Sequence, residues 1–468
     1  MRRLKRQTKT QSIQVGRGSA RRSVELCIPI QEGHGIKEEL AKPFVNGCER
    51  SVLALIGLSR TSELDRVLVR GLIPIPDDAY FDTGGGSAWS PLVTGQALSQ
   101  GMQTRAGLLL IHSHPGSETP RLSLTDRESF DLLLPRCIDL LPSWPHGSVV
   151  LGDDRAVGGR IWLPGDHPDW VRDVTKVTWL GSPLIQRPTP LDLRSPSPRI
   201  FSRQVLLIGR EGQNLVRRTT VGIIGLGGGG SHIVQQAAHM GFGRLVLIDP
   251  DRVEQTNLSR LIGAGPADVG RLKTDVMSDL VRRINPGVAV VPCAERLPTS
   301  ASIELAKTCT FLVSAVDSYT ARNEVLKVAW RHLLPMIDIG FGATVRDGGA
   351  SRLVESAAGH VHTYIPGGPC VWCSDLVSEE KLEEERAGQA VPYVEGVAAP
   401  QVVHFNGLLA SQAMVEAMQL VTGFLPVADR TGFLVYRAIT GELVRSAPER
   451  RQGCPTCGGE LGAGDTVW

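Results

Sequence analysis

Three sets of residues in this sequence have types and spacings suited to chemistry. His112-Ser113-His114 closes the apolar run Leu108–Ile111. Residues i and i+2 of a strand share a face, so both imidazoles can meet one ion. Asp126 follows in Ser123-Leu-Thr-Asp126 and offers a third ligand. Two histidines and one carboxylate leave a fourth zinc position open to water, as in a catalytic site whose ion lowers the water's pKa toward about 7. A bare H-x-H pair is a weak signal alone. The S-x-x-D run is also a helix capping box, with Ser123 as N-cap and Asp126 near N3. The two roles are compatible, because capping fixes Asp126 at the helix start and aims it.

The second set is Gly225-Leu-Gly-Gly-Gly-Gly230, a G-x-G-x-x-G pattern after the apolar run Val221–Gly225 and before Ser231–Met240 at helical spacing. By itself it points to a nucleotide, with NAD as the default. Asp249, ending the next apolar run, is placed to meet ribose hydroxyls. Arg260 and Lys273 then depart from a dehydrogenase, since paired cations suit a triphosphate better than hydride transfer. Either cation alone would be an ordinary solvated side chain. The third set is Cys370-Val-Trp-Cys373 with Cys454-Pro-Thr-Cys457. Two such knuckles saturate a tetrahedral ion, so this zinc is structural. Neither pair precedes a helix in a thioredoxin-like setting, which disfavours a redox role.

The elements that must position these groups follow from periodicity. Val52–Leu58, Leu108–Ile111 and Val149–Leu151 are expected strands and Asp126–Leu134 an expected helix, giving a small α/β domain over residues 23–180. Proline-rich Pro183–Pro198 is expected to be a semi-extended linker, residues 181–198. Val221–Gly225, the glycine loop, Ser231–Met240 and Leu245–Asp249 form a strand–loop–helix–strand unit, the opening of a Rossmann-like doubly wound sheet over residues 199–468. Residues 1–22 carry eight Arg and Lys residues without an apolar signal-peptide region, and form an expected basic flexible arm. Glu379–Glu385 is an acidic run expected on a solvated helix face or loop.

Composition narrows the classes. With 50 basic and 48 acidic residues among 468, no global charge favours nucleic acid. No apolar run approaches the roughly 20 residues of a membrane-spanning helix, and nine cysteines are too few for a disulfide scaffold. A soluble, cytoplasmic protein with no membrane partner and no specific nucleic acid partner is expected.

The HSHPG…LSLTD segment resembles the JAB/MPN (JAMM) metalloproteases, whose pattern is an upstream glutamate, H-x-H, then S-x-x-D. The resemblance covers Ser23–Leu180. It implies a small JAB-type α/β domain that hydrolyses bonds after the C-terminal glycine of ubiquitin-like proteins. It carries Zn2+ ligation onto His112, His114 and Asp126, and makes Ser123 a donor to the tetrahedral oxyanion. Glu49, just before Ser51–Gly57, sits where the family has its base, with Glu38 and Glu39 as alternatives. A glutamate there is needed to take the water's proton and hand it to the leaving amine.

Asp249-Pro-Asp251-Arg-Val253-Glu254-Gln-Thr-Asn257-Leu258-Ser-Arg260 and Gly270-Arg-Leu-Lys273, with Arg203-Gln204 upstream and Asp317…Arg322 downstream, resemble the ThiF/MoeB/ubiquitin-activating-enzyme family over Arg199–Leu461. The family uses ATP and Mg2+ to adenylate the C-terminal glycine of a ubiquitin-like protein. The resemblance assigns the nucleoside to Gly225, Gly227 and Asp249 and the phosphates to Asn257, Arg260 and Lys273. Asp317 would bind magnesium or orient the attack. Arg203 would reach the partner protomer's site, implying a homodimer. The family's glutamine and asparagine are replaced by Leu261 and Ser318.

Val391–Pro400 resembles the family's segment C-x-x-x-G-V-x-x-P, but Pro392 stands at the cysteine position and no cysteine lies between Ser374 and Gly453. Direct transfer from the adenylate, a different cysteine (Cys293 or Cys309), or an oxyester on Ser374 or Ser378 remain as routes. Together the two resemblances imply a fused processing and activating enzyme for one ubiquitin-like protein, as in bacterial conjugation-like operons, some tied to antiphage defence. Its further partner would be a conjugating enzyme or an acceptor protein. Activation of a sulfur carrier in cofactor or cysteine biosynthesis is the alternative, and a non-catalytic scaffold the second.

Overall fold

The computed structural model describes residues 14–15, 22–45, 48–81, 88–168, 170–188, 199–347, 352–388, 401–426 and 432–465. The chain divides into two units, residues 1–178 with 463–468, and residues 179–462. The basic arm lies outside the described residues except for 14–15 and 22; residues 189–198 of the proline-rich stretch and Val391–Pro400, with Pro392, lie outside them too. Of the proline-rich stretch, Ile185–Pro188 is extended as a strand.

The first unit runs β1 (Ser23–Pro29), α1 (Ile30–Ala41), β2 (Ser51–Arg60), β3 (Leu64–Pro74), α2 (Pro91–Thr104), β4 (Gly107–Ser113), α3 (Leu124–Leu140), β5 (His146–Leu151), β6 (Val157–Trp162) and β7 (Trp170–Asp173). Its sheet has the order β7-β6-β5-β4-β2-β3-β1. Central β2 is covered on both faces, which explains why Leu53, Ala54 and Ile56 form an uninterrupted apolar run with no exposure. β2 pairs antiparallel with β4, setting Ser51 opposite His112, while β4 runs parallel to β5. Gln14–Val15 pairs with Trp170–Val171. The apolar runs read as strands fall inside β2, β4 and β5, and Asp126–Leu134 inside α3.

The second unit contains α4 (Ser202–Arg218), β8 (Thr220–Ile224), α5 (Gly228–Met240), β9 (Arg244–Ile248), α6 (Lys273–Ile284), β10 (Ala289–Cys293), α7 (Ser300–Lys307), β11 (Phe311–Ser314), α8 (Tyr319–Arg331), β12 (Met336–Asp347), β13 (Arg352–Tyr364), α9 (Glu379–Arg386), α10 (Val403–Thr422), β14 (Phe433–Arg437) and β15 (Glu442–Ser446). The sheet order is β10-β9-β8-β11-β12-β13-β14-β15. The strands from β10 to β12 are parallel, and β12 onward pair antiparallel. This is a Rossmann-like α/β sheet. Its strand order reverses between β8 and β11, and the crevice beyond their carboxyl ends is where such sheets bind ligands. Gly228–Gly230 form the first turn of α5 rather than the end of a loop. Among the described residues no helix is long and apolar enough to cross a membrane.

Candidate functional site

A cavity of about 710 Å³ opens at the β8/β11 reversal, lined by Gly225, Gly227, Asp249, Asn257, Arg260, Lys273 and Asp317. The sequence-predicted nucleotide residues are thus gathered in one place, apart from Arg203. Local geometry explains the glycines. Gly225 has φ +85°, and a Cβ there would lie 2.7 Å from Ala315 O. A Cβ on Gly230 would lie 1.9 Å from Gly225 O, so α5 approaches the loop as only glycine permits. Gly227 differs, because a Cβ there would meet no protein atom within 4 Å.

Leu226 N donates to Asp249 Oδ2 at 2.6 Å and Asp251 N to Oδ1 at 2.8 Å, fixing the carboxylate at the end of β9. Burial pushes the Asp249 carboxyl above its usual range, opposed by Lys273 and by these two N–H groups. Lys273, at the start of α6, places Nζ 2.8 Å from Asp251 Oδ2 and 3.9 Å from Asp249 Oδ2. Arg260 donates through Nε to Gln401 Oε1 at 3.1 Å and through a terminal nitrogen to Thr256 O at 2.9 Å. Asn257 Oδ1 accepts from Glu254 N at 3.2 Å, closing the short turn that carries it. Leu261 and Ser318 also line the cavity, and Ser318 caps α8 through Ala321 N at 3.1 Å. Arg203 is exposed on α4 and is not among the lining residues.

Sequence reasoning named Arg322, which lines this cavity, but missed the buried polar network it joins. Asp338 on β12 accepts from Ser314 Oγ at 2.6 Å and from Arg322 Nε at 2.7 Å, and lies 2.7 Å from His360 Nε2. Arg322 also donates to Val316 O at 3.2 Å, in the segment that carries Asp317. Burial raises the Asp338 carboxyl, but Arg322, His360 and Ser314 outweigh it and hold the group below its usual range. Two registers build this network, the parallel one that sets Ser314 opposite Asp338 and the antiparallel one that sets Gly340 opposite His360, and neither is written in a local motif.

The four cysteines of the two CxxC pairs converge in the second unit. Cys370 Sγ lies 3.8 Å from Cys373 Sγ and 3.6 Å from Cys454 Sγ, and Cys373 Sγ lies 3.6 Å from Cys457 Sγ. These separations are too long for a disulfide, and they match the edges of about 3.8 Å that a tetrahedron of Zn–S bonds of about 2.3 Å requires. Arg451 N and Cys457 N donate to Cys373 Sγ and Cys454 Sγ at 3.3 and 3.4 Å, as knuckle amides do toward thiolates. The residues fit a tetrahedral ion. Ser374 Oγ is drawn into this knuckle, donating to Cys370 O at 3.3 Å, and Ser378 caps α9 through Lys381 N. Neither serine lines the cavity, nor do Cys293 and Cys309, which are buried.

In the first unit His112, His114 and Asp126 place their ligand atoms within 4.8 Å of one another. Asp126 Oδ2 lies 3.2 Å from His112 Nε2 and 3.5 Å from His114 Nε2. The capping box forms as well, with Ser123 N donating to Asp126 Oδ2 at 2.7 Å and Asp126 N to Ser123 Oγ at 3.1 Å. Burial raises the Asp126 carboxyl, but His112 and Ser123 prevail and hold it well below the usual range. His112 Nε2 is shielded from solvent without a hydrogen-bond partner, which suits a metal ligand. Glu49 is half-buried two residues before Ser51. Continuing the Ser51–His112 register by two residues sets it level with His114. Its neighbour Arg50 is anchored on Pro43 O at 2.8 Å and Asp77 Oδ1 at 2.6 Å. Glu38 and Glu39 lie on α1, where Glu39 pairs with Lys42 at 2.6 Å.

Comparison with known proteins addresses the second unit. The sequence model of the ThiF family matches residues 201–456, more than half of the chain. The molybdopterin-synthase adenylyltransferase of Salmonella typhimurium is 29% identical over 261 residues, covering 55% of this chain and 95% of its own length. The sulfur carrier protein adenylyltransferase of Thermus thermophilus is 29% identical over 263 residues, covering 56% and 90%. The SAMP-activating enzyme E1 of Haloferax volcanii is 31% identical over 175 residues, covering 37% and 60%.

Proposed function

The chain belongs to the ThiF family, and from this premise we propose that its second unit is an adenylyltransferase that activates the C-terminal glycine of a small ubiquitin-like or sulfur-carrier protein. The observation that carries the reading is the convergence of Gly227, Asp249, Asn257, Arg260, Lys273 and Asp317 on one cavity. In the proposed step a carboxylate oxygen of the substrate protein attacks the α-phosphorus of ATP. A P–O bond forms, the bond to the bridging oxygen breaks, and the electron pair leaves with pyrophosphate. Arg260 and Lys273 take up charge that builds on the phosphates, where fixed cations act most strongly. Asp249 holds the ribose. Asp317 is the residue that would hold Mg2+, which supplies charge neutralisation to the leaving pyrophosphate.

The names of the relatives support activation of sulfur carriers and of a ubiquitin-like modifier alike. Exposed Ile200, Leu206 and Leu207, at 71%, 79% and 71%, flank Arg203 and support a homodimer in which that arginine serves the partner's site. With Pro392 at the cysteine position, direct transfer from the adenylate to an acceptor protein or conjugating enzyme is the favoured route. Pyrophosphate exchange into ATP that depends on the partner protein tests the reading. Binding of NAD in place of ATP, or no exchange with any partner, would overturn it.

A second reading concerns the first unit and rests on the trio His112, His114 and Asp126. We propose that it is a JAMM-type peptidase domain acting on the same substrate protein, with residues 23–180 as its extent. The trio would hold a Zn2+ ion, which supplies a water of lowered pKa. Glu49 takes the proton and passes it to the leaving amine, and Ser123 donates to the oxyanion. The four cysteines would hold a second, structural Zn2+. Such a pairing favours a conjugation pathway over sulfur transfer. Release of a ubiquitin-like protein from a C-terminal extension, lost in His114→Ala, is the test.

A further inference from the structure

Glu385 belongs to the acidic run read from the sequence as a solvated face, but its carboxylate is spent on another helix. Oε1 accepts from Tyr319 N at 3.0 Å, and Oε2 accepts from Thr320 N at 2.8 Å and Thr320 Oγ1 at 2.5 Å. Those amides are the first two of α8, groups that no helix can satisfy internally. The third, Ala321 N, goes to Ser318 Oγ at 3.1 Å. Lys381, one turn earlier on α9, places Nζ 5.9 Å from the Tyr319 ring centre and strengthens the same contact.

The consequence falls on Asp317. Aspartate is among the residues that most readily cap a helix start. Here Ser318 and Glu385 claim the first three donors of α8, and Asp317 lines the cavity. The preceding residue is held from the other side, because Val316 O accepts from Arg322. Gly388, three residues beyond Glu385, also lines the cavity. The stretch that follows the first cysteine pair is therefore bonded to the cavity wall beside Asp317.

We propose that Glu385 is a positioning residue for adenylation: by holding the first turn of α8 it sets Asp317 to face the nucleotide, and so couples the α9 segment to the site. The inference rests on the reading of Asp317 as the residue that holds magnesium in the ATP site. The balance of bonds explains why a carboxylate is needed. Its two oxygens accept three hydrogen bonds at once, whereas an amide offers one acceptor oxygen and a repelled NH2 group.

The test measures ATP affinity of the full chain over a magnesium series, with ATP and Mg2+ alone as probes. Asp317→Ala should abolish the gain in affinity that magnesium gives. Glu385→Ala should reduce that gain about tenfold, of the order expected when a binding group is misplaced by a fraction of an ångström. Affinity without magnesium should stay as in the unmodified chain, which a general loosening of the fold would not allow. Glu385→Gln keeps the size and one acceptor and should fall between. In the Asp317→Ala background, Glu385→Ala should add nothing. If Asp317→Ala leaves the magnesium dependence intact, the reading of Asp317 fails and the inference falls with it. If Asp317→Ala removes it but Glu385→Ala does not, or if Glu385→Ala weakens binding equally with and without magnesium, the positioning role of Glu385 is refuted while the ATP site stands.

Discussion

Arg322 Nε meets Asp338 Oδ2 at 2.7 Å, with the two side chains 4% and 0% exposed. Arg322 lines the cavity, Asp338 does not, and the pair is completed by Ser314 and His360. Breaking one side of such a pair strands a charge in a low dielectric, whereas replacing both sides by apolar groups does not. Arg322→Met should cost about 3–5 kcal/mol in denaturant unfolding. The double variant Arg322→Met/Asp338→Leu should recover much of that loss. A loss in the double variant equal to the sum of the losses in Arg322→Met and Asp338→Leu would show that the pair is not coupled.

Lys273 can be separated from its neighbours by kinetics. Lys273→Ala should slow partner-dependent pyrophosphate exchange by about 10²–10³, the scale for removing one fixed donor from a site of developing charge. The loss should appear in kcat more than in the KM for ATP. An unchanged rate would remove Lys273 from the machinery.

The two proposed metal sites make distinct predictions. Cys454→Ser should lower bound zinc and destabilise the second unit, because a structural ion adds its binding free energy to folding. His114→Ala should lower bound zinc without that loss of stability. Glu49→Ala should keep both ions and lose peptide cleavage, since it removes only the proton acceptor. Metal analysis paired with thermal unfolding distinguishes these outcomes, and cleavage at the unmodified rate by Glu49→Ala would move the base to Glu38 or Glu39.

His146 predicts a pH dependence. Leu108 N donates to its Nδ1 at 3.2 Å and its Nε2 lies 3.0 Å from Leu141 O, an arrangement that suits the neutral ring. Burial lowers its pKa from 6.5 to about 4, although the Leu141 carbonyl acts in the opposite direction. Between those values the unfolded chain binds a proton that the native ring refuses, so stability rises with pH across the window and is lost as pH falls. The loss should reach about 3 kcal/mol by pH 4 and then level off. His362 in the second unit is lowered to about 4 in the same way. Comparison with His146→Gln, whose stability should be flatter from pH 6.5 to 4, isolates the contribution of His146.

What could be read from residue order was what is local or carried by ligand spacing. The strand, glycine turn and helix around Gly225 follow from apolar runs and from a conformation only glycine adopts easily. The cysteine quartet follows from spacing, and the helix start at Ser123 from a capping box. Asp338 and His360 could not be paired in advance, because they meet only through the antiparallel register of β12 and β13. Glu385 shows the complementary limit. The run was read as a helix face or a loop, but the partners of Glu385 stand 65 and 66 residues away, and six charged residues around Leu382 do not reveal which carboxylate turns inward.

The cysteine clasp also has a topological effect. Eighty residues separate Cys373 from Cys454, and they include α9, α10, β14 and β15. Were one ion to join the thiolates, that stretch would become a ring closed through metal coordination alone. One cut in the backbone between the two pairs would open the ring but leave both fragments fastened at the clasp, and a chelator would then unfasten a join that the protease alone could not.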